Sequence, residues 1–169
     1  MQEQILPDLI RPNLKLVLCG TAAGHRSAEE KAYYAHPNNL FWQVLHDTRL
    51  TPIRLVPRGF KQLLDYGIGL TDLVKYAKGG DAELSSGDYD IVGFQAKIKK
   101  YQPLITAFTS KQAGKTYLGR QVDYGLQEEK IGQTILFVLP STSGSGRGYW
   151  KIEPWEELRN LVLKLDRSY

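Results

Sequence analysis

A chain of 169 residues with 42% hydrophobic side chains, a net charge of +4 and a pI near 9.1 can build one well-filled core. Its basic balance admits a polyanionic partner without requiring one. One cysteine, Cys19, excludes a disulfide framework or a cysteine-built metal centre, and no run approaches the roughly 18 apolar residues of a membrane span. The expectation is a single domain over residues 1–169, without a signal peptide or membrane contact, in a reducing cytoplasm (nucleoid-associated in a bacterium).

Residues 1–13 read as a lead-in broken by Pro7 and Pro12. Residues 14–20 are an apolar strand, with Cys19 as a small core residue. Gly20-Thr21-Ala22-Ala23-Gly24 follows. Small side chains there let backbone N–H groups approach a ligand, although a tight strand-to-helix turn has the same composition. The spacing is not a dinucleotide fingerprint. Residues 25–37 form a long polar loop ending in Tyr33-Tyr34-Ala35-His36-Pro37. Asn38 or Asn39 then caps a helix whose inward face is Leu40, Phe41, Val44, Leu45 and Thr48. A short helix spans 57–65, and a strand over 66–74 reaches Thr71-Asp72. An acid at the end of a buried strand caps, pairs or acts. Spacing alone favours Asp72 as an N-cap.

Residues 75–88 read as loop and 89–101 as a helix, with Ile91, Phe94, Ile98 and Tyr101 inward and Lys97, Lys99 and Lys100 as its solvated face. A strand over 103–109 leads through Ser110-Lys111 into a helix to about residue 118. Lys111 is either a phosphate contact or a surface lysine. Residues 119–133 show no clear period. Residues 134–140 are an uninterrupted apolar run, the mark of a buried parallel strand. The run stops at a flexible, polar stretch, 141–150, rich in Ser and Gly and carrying Arg147, Tyr149 and Trp150. Ser, Gly and Arg contact phosphates, and aromatic rings stack on bases or wedge between them. A solvated loop is the competing reading. Pro154 opens the last helix, with Trp155, Leu158, Leu161, Val162 and Leu165 inward. Strands alternating with helices predict an α/β fold with a small, largely parallel sheet covered on both faces. Three strand ends and the Tyr33 to Pro37 loop then share one edge, where open α/β sheets bind ligands.

Several pieces carry a resemblance in their order and spacing. They are Gly20-Thr21-Ala22-Ala23-Gly24, Ser27-Ala28, Tyr34-Ala35-His36-Pro37, Asn39, Phe41-Trp42, the stretch from Leu64-Asp65-Tyr66 to Leu70-Thr71, and Leu139-Pro140-Ser141-Thr142-Ser143-Gly144-Ser145-Gly146-Arg147. Together they resemble the uracil-DNA glycosylase superfamily, specifically its mismatch-specific uracil/thymine-DNA glycosylase branch. The resemblance implies a three-layer α/β/α sandwich and a monofunctional enzyme, a monomer. It would flip uracil, or another damaged base, out of mismatched or single-stranded DNA and leave an abasic site. It implies no metal and no cofactor. Tyr34 would stack on the flipped base. Gly20, Thr21, Ala22, Ala23 and Gly24, with Ser27 and Asn39, would hold it. Ser141, Ser143, Gly144, Ser145 and Arg147 would enter the duplex and contact phosphates, with Lys111 as a further candidate phosphate contact; Tyr149 either stands in for the wedge or packs under the loop.

Two departures from the family's pattern matter. Its Gly-Ile-Asn-Pro-Gly motif positions the attacking water through asparagine, where this chain has Ala22. Its Asn-Pro-Ser-Gly-Leu-Ser-Arg loop has asparagine and a wedge leucine where this chain has Ser141 and Ser145. Loss of the asparagine leaves either a substitute or an inactive binder of uracil-containing or abasic DNA. The sugar of the transition state is oxocarbenium-like and the base leaves as an anion, so a carboxylate near the sugar and donors at the base would serve. Asp72 is the expected carboxylate, in a place where many members of the branch carry lysine. His36 is a weaker candidate that could orient water or fix its own loop. A small-molecule phosphate binder of α/β fold is the third reading.

Overall fold

The computed structural model describes residues 2–166. Five strands form one sheet: β1 (Leu16–Gly20), β2 (Ile68–Asp72), β3 (Ile105–Phe108), β4 (Gly125–Ile131) and β5 (Thr134–Val138), in the order β2-β1-β3-β5-β4. β1, β2, β3 and β5 run parallel; β4 is an antiparallel edge. The helices are α1 (His25–Glu30), α2 (Phe41–Asp47), α3 (Ile91–Tyr101), α4 (Lys111–Leu118) and α5 (Glu153–Asp166), with 3-10 turns at Pro57–Tyr66, Asp81–Glu83, Ser86–Asp88 and Gly144–Tyr149.

The two-residue period of a strand divides each one between two cores. Leu16 and Leu18 of β1 pack with Phe41, Leu45, Leu63 and Trp155, from α2, the Pro57–Tyr66 turn and α5. Val17 and Cys19 pack on the other face with Phe94, Ile98 and Ala113, from α3 and α4. The result is a three-layer α/β/α sandwich, as expected, and Cys19 is fully buried in it. β1 has β2 on one side and β3 on the other, so the chain reverses its direction of growth there. Such a switch point opens a crevice beyond the carboxyl ends of the strands.

Four local expectations need correction. Residues 119–133 contain β4, whose charged, mostly outward residues hide the strand period; its register shifts between Leu126 and Lys130. Edge strands commonly carry charge and irregularity, which discourage pairing with other chains. The polar loop of 25–37 begins with α1, ended by Lys31 in the left-handed region at φ 55°. The lead-in belongs to the fold: Leu6 and Leu9 are buried, and Leu9 bridges Leu70 of β2 in both directions, N–H to carbonyl. Lys97 is not a solvated lysine. Its ammonium pairs with Asp8 and donates to Thr71 Oγ1 at 3.2 Å.

Gly114 lets α4 lie close on β5. A Cβ built there falls 2.7 Å from Val138 Cγ2, and Val138 is fully buried. Helix propensity alone would have Gly114→Ala stabilise by about 1 kcal/mol. Overpacking of a filled core costs roughly 1–3 kcal/mol and outweighs it. Chemical denaturation of Gly114→Ala should therefore show a net loss of stability, whereas the same change made in a Val138→Ala background should stabilise.

Candidate active site

A cavity of about 570 Å³ opens at the carboxyl edge of the parallel strands. Its walls come from residues 20–27 after β1, the Tyr33 to Asn39 segment, Asp72 at the end of β2, residues 79–81, Thr109 and Ser110 after β3, and residues 141–145 after β5. Gly20, Thr21, Ala22, Ala23, Gly24, Ser27, Tyr34 and Asn39 all line it, as do Asp72, His36, Ser141, Ser143, Gly144 and Ser145.

The Gly20 to Gly24 turn is held by its carbonyls. Leu73, Val74 and Gly79 donate backbone N–H groups to the carbonyls of Gly20, Thr21 and Ala23. Among the described residues, the N–H groups of Thr21, Ala22, Ala23 and Gly24 have no acceptor within the protein. The turn therefore presents donors that a bound anion or carbonyl can take up. Ser27 Oγ accepts the Ala35 N–H at 3.0 Å and closes the loop between them.

Tyr34 sits at φ 52°, in the left-handed region that a bulky residue adopts only under constraint. The constraint is visible. The Trp42 indole N–H reaches the carbonyls of Tyr33 and Tyr34, at 3.3 and 3.2 Å. Phe41 stacks on the Tyr34 ring with centroids 3.7 Å apart and planes 11° from parallel. Tyr34 Oη lies 3.2 Å from Thr109 Oγ1. Burial, and then the charge of Asp72, push the phenol well above its ordinary value, so it stays protonated. A flat, immobilised ring in a cavity is a stacking platform.

Asp72 pairs in register with Gly20 across β2 and β1. A Cβ on Gly20 would fall 2.9 Å from Asp72 Oδ1, 3.2 Å from Tyr34 Oη and 3.4 Å from Thr109 Oγ1, so glycine is needed where these oxygens converge. Asp72 is 5% exposed. Among the described residues it has no hydrogen-bond partner and does not cap the next turn. Burial is the main force on its carboxyl and raises it from 3.8 to about 6; Lys75 and Lys97 pull it down and Asp8 pushes it up. A carboxylate in this state is still largely ionised near neutrality and has both oxygens free for a ligand.

His36 is exposed, and its Nδ1 accepts the Asn38 N–H at 3.0 Å, which fixes the loop turn. Leu40, not Asn38 or Asn39, is the N-cap of α2; Asn39 Oδ1 accepts the Phe41 N–H at 2.9 Å and the Thr142 hydroxyl at 2.6 Å, tying the start of α2 to the loop after β5. That loop is organised by its own serines. Ser141 Oγ donates to Ser143 Oγ at 2.9 Å and accepts the Ser143 N–H, while Ser143 Oγ accepts the Gly146 N–H. The Arg147 guanidinium donates to the Asn38 carbonyl at 2.6 Å. Three residues expected at the DNA interface stand outside the cavity. Arg147 is at its rim. Tyr149 is 78% exposed rather than packed beneath the loop. Lys111 places its ammonium 4.5 Å from the Tyr124 ring centroid.

The sequence reading overlooked Asp8 and Lys75. Lys75 is buried, three residues beyond Asp72, and pairs with Asp8 at 2.8 Å. A lysine in a polar loop carries no mark of burial, and Asp8 lies far away in sequence. Thr109 was read only as the end of a strand.

The family model described as the uracil DNA glycosylase superfamily matches residues 7–160. A solution structure described as a "putative Uracil DNA glycosylase" from Methanosarcina acetivorans superposes with a TM-score of 0.64 at 20% identity, covering 95% of this chain and 98% of that one. The latter likeness is one of fold, and the family match spans the five strands and the cavity-lining residues other than Leu6. The chain belongs to the uracil DNA glycosylase superfamily.

Proposed function

We propose that the protein is a monofunctional DNA glycosylase that hydrolyses the N-glycosidic bond of uracil, with the mismatched G:U duplex as a first substrate, and leaves an abasic site. The observation that carries this reading is Asp72, a buried carboxylate without a hydrogen-bond partner among the described residues, facing a cavity that also holds a stacking ring and, among the described residues, unengaged N–H donors. An oxocarbenium-like sugar is stabilised by a fixed negative charge, and a leaving base anion by fixed donors. Asp72 supplies the charge and holds the attacking water. The N–H groups of Thr21 to Gly24 face the departing base, with Tyr34 against its ring. His36, through its bond to Asn38, shapes the loop rather than moving protons. Ser141 to Arg147 meet the DNA backbone and Tyr149 stands as the wedge. Asp72 takes over the role that Ala22 cannot perform.

The test is release of uracil from labelled oligonucleotides, read by alkaline strand cleavage in single turnovers. Asp72→Asn should lower the rate roughly 100-fold or more while DNA binding persists. The wild-type rate should rise through a pH of about 6 to a plateau, because the ionised form of Asp72 acts. Absence of cleavage by the wild type on any uracil substrate, with tight binding retained, would favour the inactive binder instead. Excision from single strands at the duplex rate would show that a serine-rich loop relaxes the need for a pairing partner.

The same substitution should stabilise the fold. The folded-state value of Asp72, about 6, lies above its ordinary 3.8, so ionisation weakens the native state. That penalty is absent in acid below the ordinary value, grows between the two values and is complete above the upper one. Thermal melts of Asp72→Asn should show a gain worth roughly 2–3 kcal/mol in mildly alkaline buffer. The gain should vanish as the pH falls below 3.8.

A further inference from the structure

Beneath the cavity lies a polar cluster that the reaction above does not use. Asp8 comes from the N-terminal segment, Lys75 from the stretch after β2, and Lys97 from α3. Lys75 Nζ lies 2.8 Å from Asp8 Oδ1 and 3.2 Å from the Tyr33 hydroxyl. Lys97 Nζ pairs with Asp8 Oδ2, and the Thr71 hydroxyl donates to Asp8 Oδ1 at 2.6 Å. Tyr33 in turn donates to the Pro7 carbonyl at 3.0 Å, which fastens the segment carrying Asp8. Burial pushes the Asp8 carboxyl up, but its two lysines and three hydrogen bonds, Lys75 foremost, hold it below its ordinary value. With Asp72 ionised, the two acids and two lysines are electrically balanced.

The arrangement poses a question of partner choice. Lys75 follows Asp72 by three residues, its flexible stem has reach, and Asp72 is without a hydrogen-bond partner among the described residues. A buried lysine beside a buried carboxylate ordinarily pairs with it. Here Lys75 is engaged elsewhere, by Asp8 and Tyr33. We propose that Asp8 is a positioning residue for the reaction: it captures Lys75 and Lys97 and so keeps Asp72 free of a salt bridge and open to the cavity. The inference rests on the reading of Asp72 as the acting carboxylate. Lys75 and Lys97 still act on Asp72 through space, which keeps it ionised, without covering the oxygens that must face water and sugar.

The charges that bear on Asp72 are those of Asp8, Lys75 and Lys97, and Asp72 in turn raises its titratable neighbours Cys19, Tyr33 and Tyr34. Burial keeps the thiol and both phenols protonated over the working range, so the acid and the two lysines decide its state. Removing the negative charge of Asp8 should lower the titration of Asp72, and removing Lys75 should raise it.

The experiment is the pH–rate profile of single-turnover uracil excision by the full chain, for wild type, Asp8→Asn, Lys75→Gln and the double variant, with thermal melts alongside. Asp8→Asn should lower the plateau about tenfold and move the acid limb about one pH unit downward. Lys75→Gln should move that limb upward. The double variant should regain most of the plateau lost in Asp8→Asn, since no freed Lys75 remains to cover Asp72. A purely structural Asp8 predicts otherwise: a limb moved only by the lost charge, no plateau regained on adding Lys75→Gln, and a double variant slower than either single one. That result, or an unchanged Asp8→Asn profile while Asp72→Asn is inactive, overturns the inference and leaves the assignment of Asp72 standing. Full activity in Asp72→Asn overturns the assignment itself and this inference with it. Should Asp8→Asn not fold, Thr71→Val removes one hydrogen bond from Asp8 without changing any charge; it should shift plateau and limb in the same directions by less, and no shift overturns the inference.

Discussion

Removing a carboxylate from water costs several times what one hydrogen bond returns, and Asp72 is left without even that one among the described residues. Much of the architecture around the cavity can be understood as the means by which this cost is borne. Glycine at position 20 makes room for the carboxylate at the end of the adjacent strand. Two lysines stand near enough to act on it through space, while Asp8 occupies their hydrogen-bonding capacity. The parallel pairing of β1 with β2 sets the register that brings Gly20 and Asp72 side by side.

A second structure supports the opposite wall. Tyr34 is held in a strained backbone conformation by the Trp42 indole and by stacking on Phe41, and Phe41 meets Trp155 edge-on at 6.2 Å. The Trp155 indole donates to the Pro140 carbonyl, at the root of the serine-rich loop. Asn39 and Arg147 complete the circuit by joining the two loops directly. Stacking platform and DNA-facing loop are thus mounted on one aromatic core, so a repacking at Phe41 or Trp155 reaches both.

Much of this was legible in the residues. The apolar runs at 14–20, 103–109 and 134–140 announce parallel strands because both of their faces are covered, and β1, β3 and β5 fall inside them. The helix stripes led by Phe41, Phe94 and Trp155 follow from the 3.6-residue period. The small-residue turn after β1, Asp72 at a strand end and the Ser-Gly-Arg loop were visible as candidates because topology delivers strand ends to one edge. β4 was illegible for the converse reason. An edge strand exposes alternate residues, has one hydrogen-bonded neighbour in the sheet, and its charges at Glu128, Glu129 and Lys130 mask the period.

By itself the sequence determined the layered α/β fold, its family and the set of segments that meet at the strand ends, because those depend on local periodicity and on short motifs. Only the tertiary structure decided which side chains inside those segments are committed elsewhere. His36 Nδ1 and Ser27 Oγ bond within the loop, Lys97 turns inward, and Tyr149 stays exposed. The partnership of Asp8 with Lys75 and Lys97 spans the chain from its first residues to α3. Such long-range pairing leaves no local pattern, since an ion pair is selected by distance in space and by burial, and neither is written in the spacing of residues along the chain.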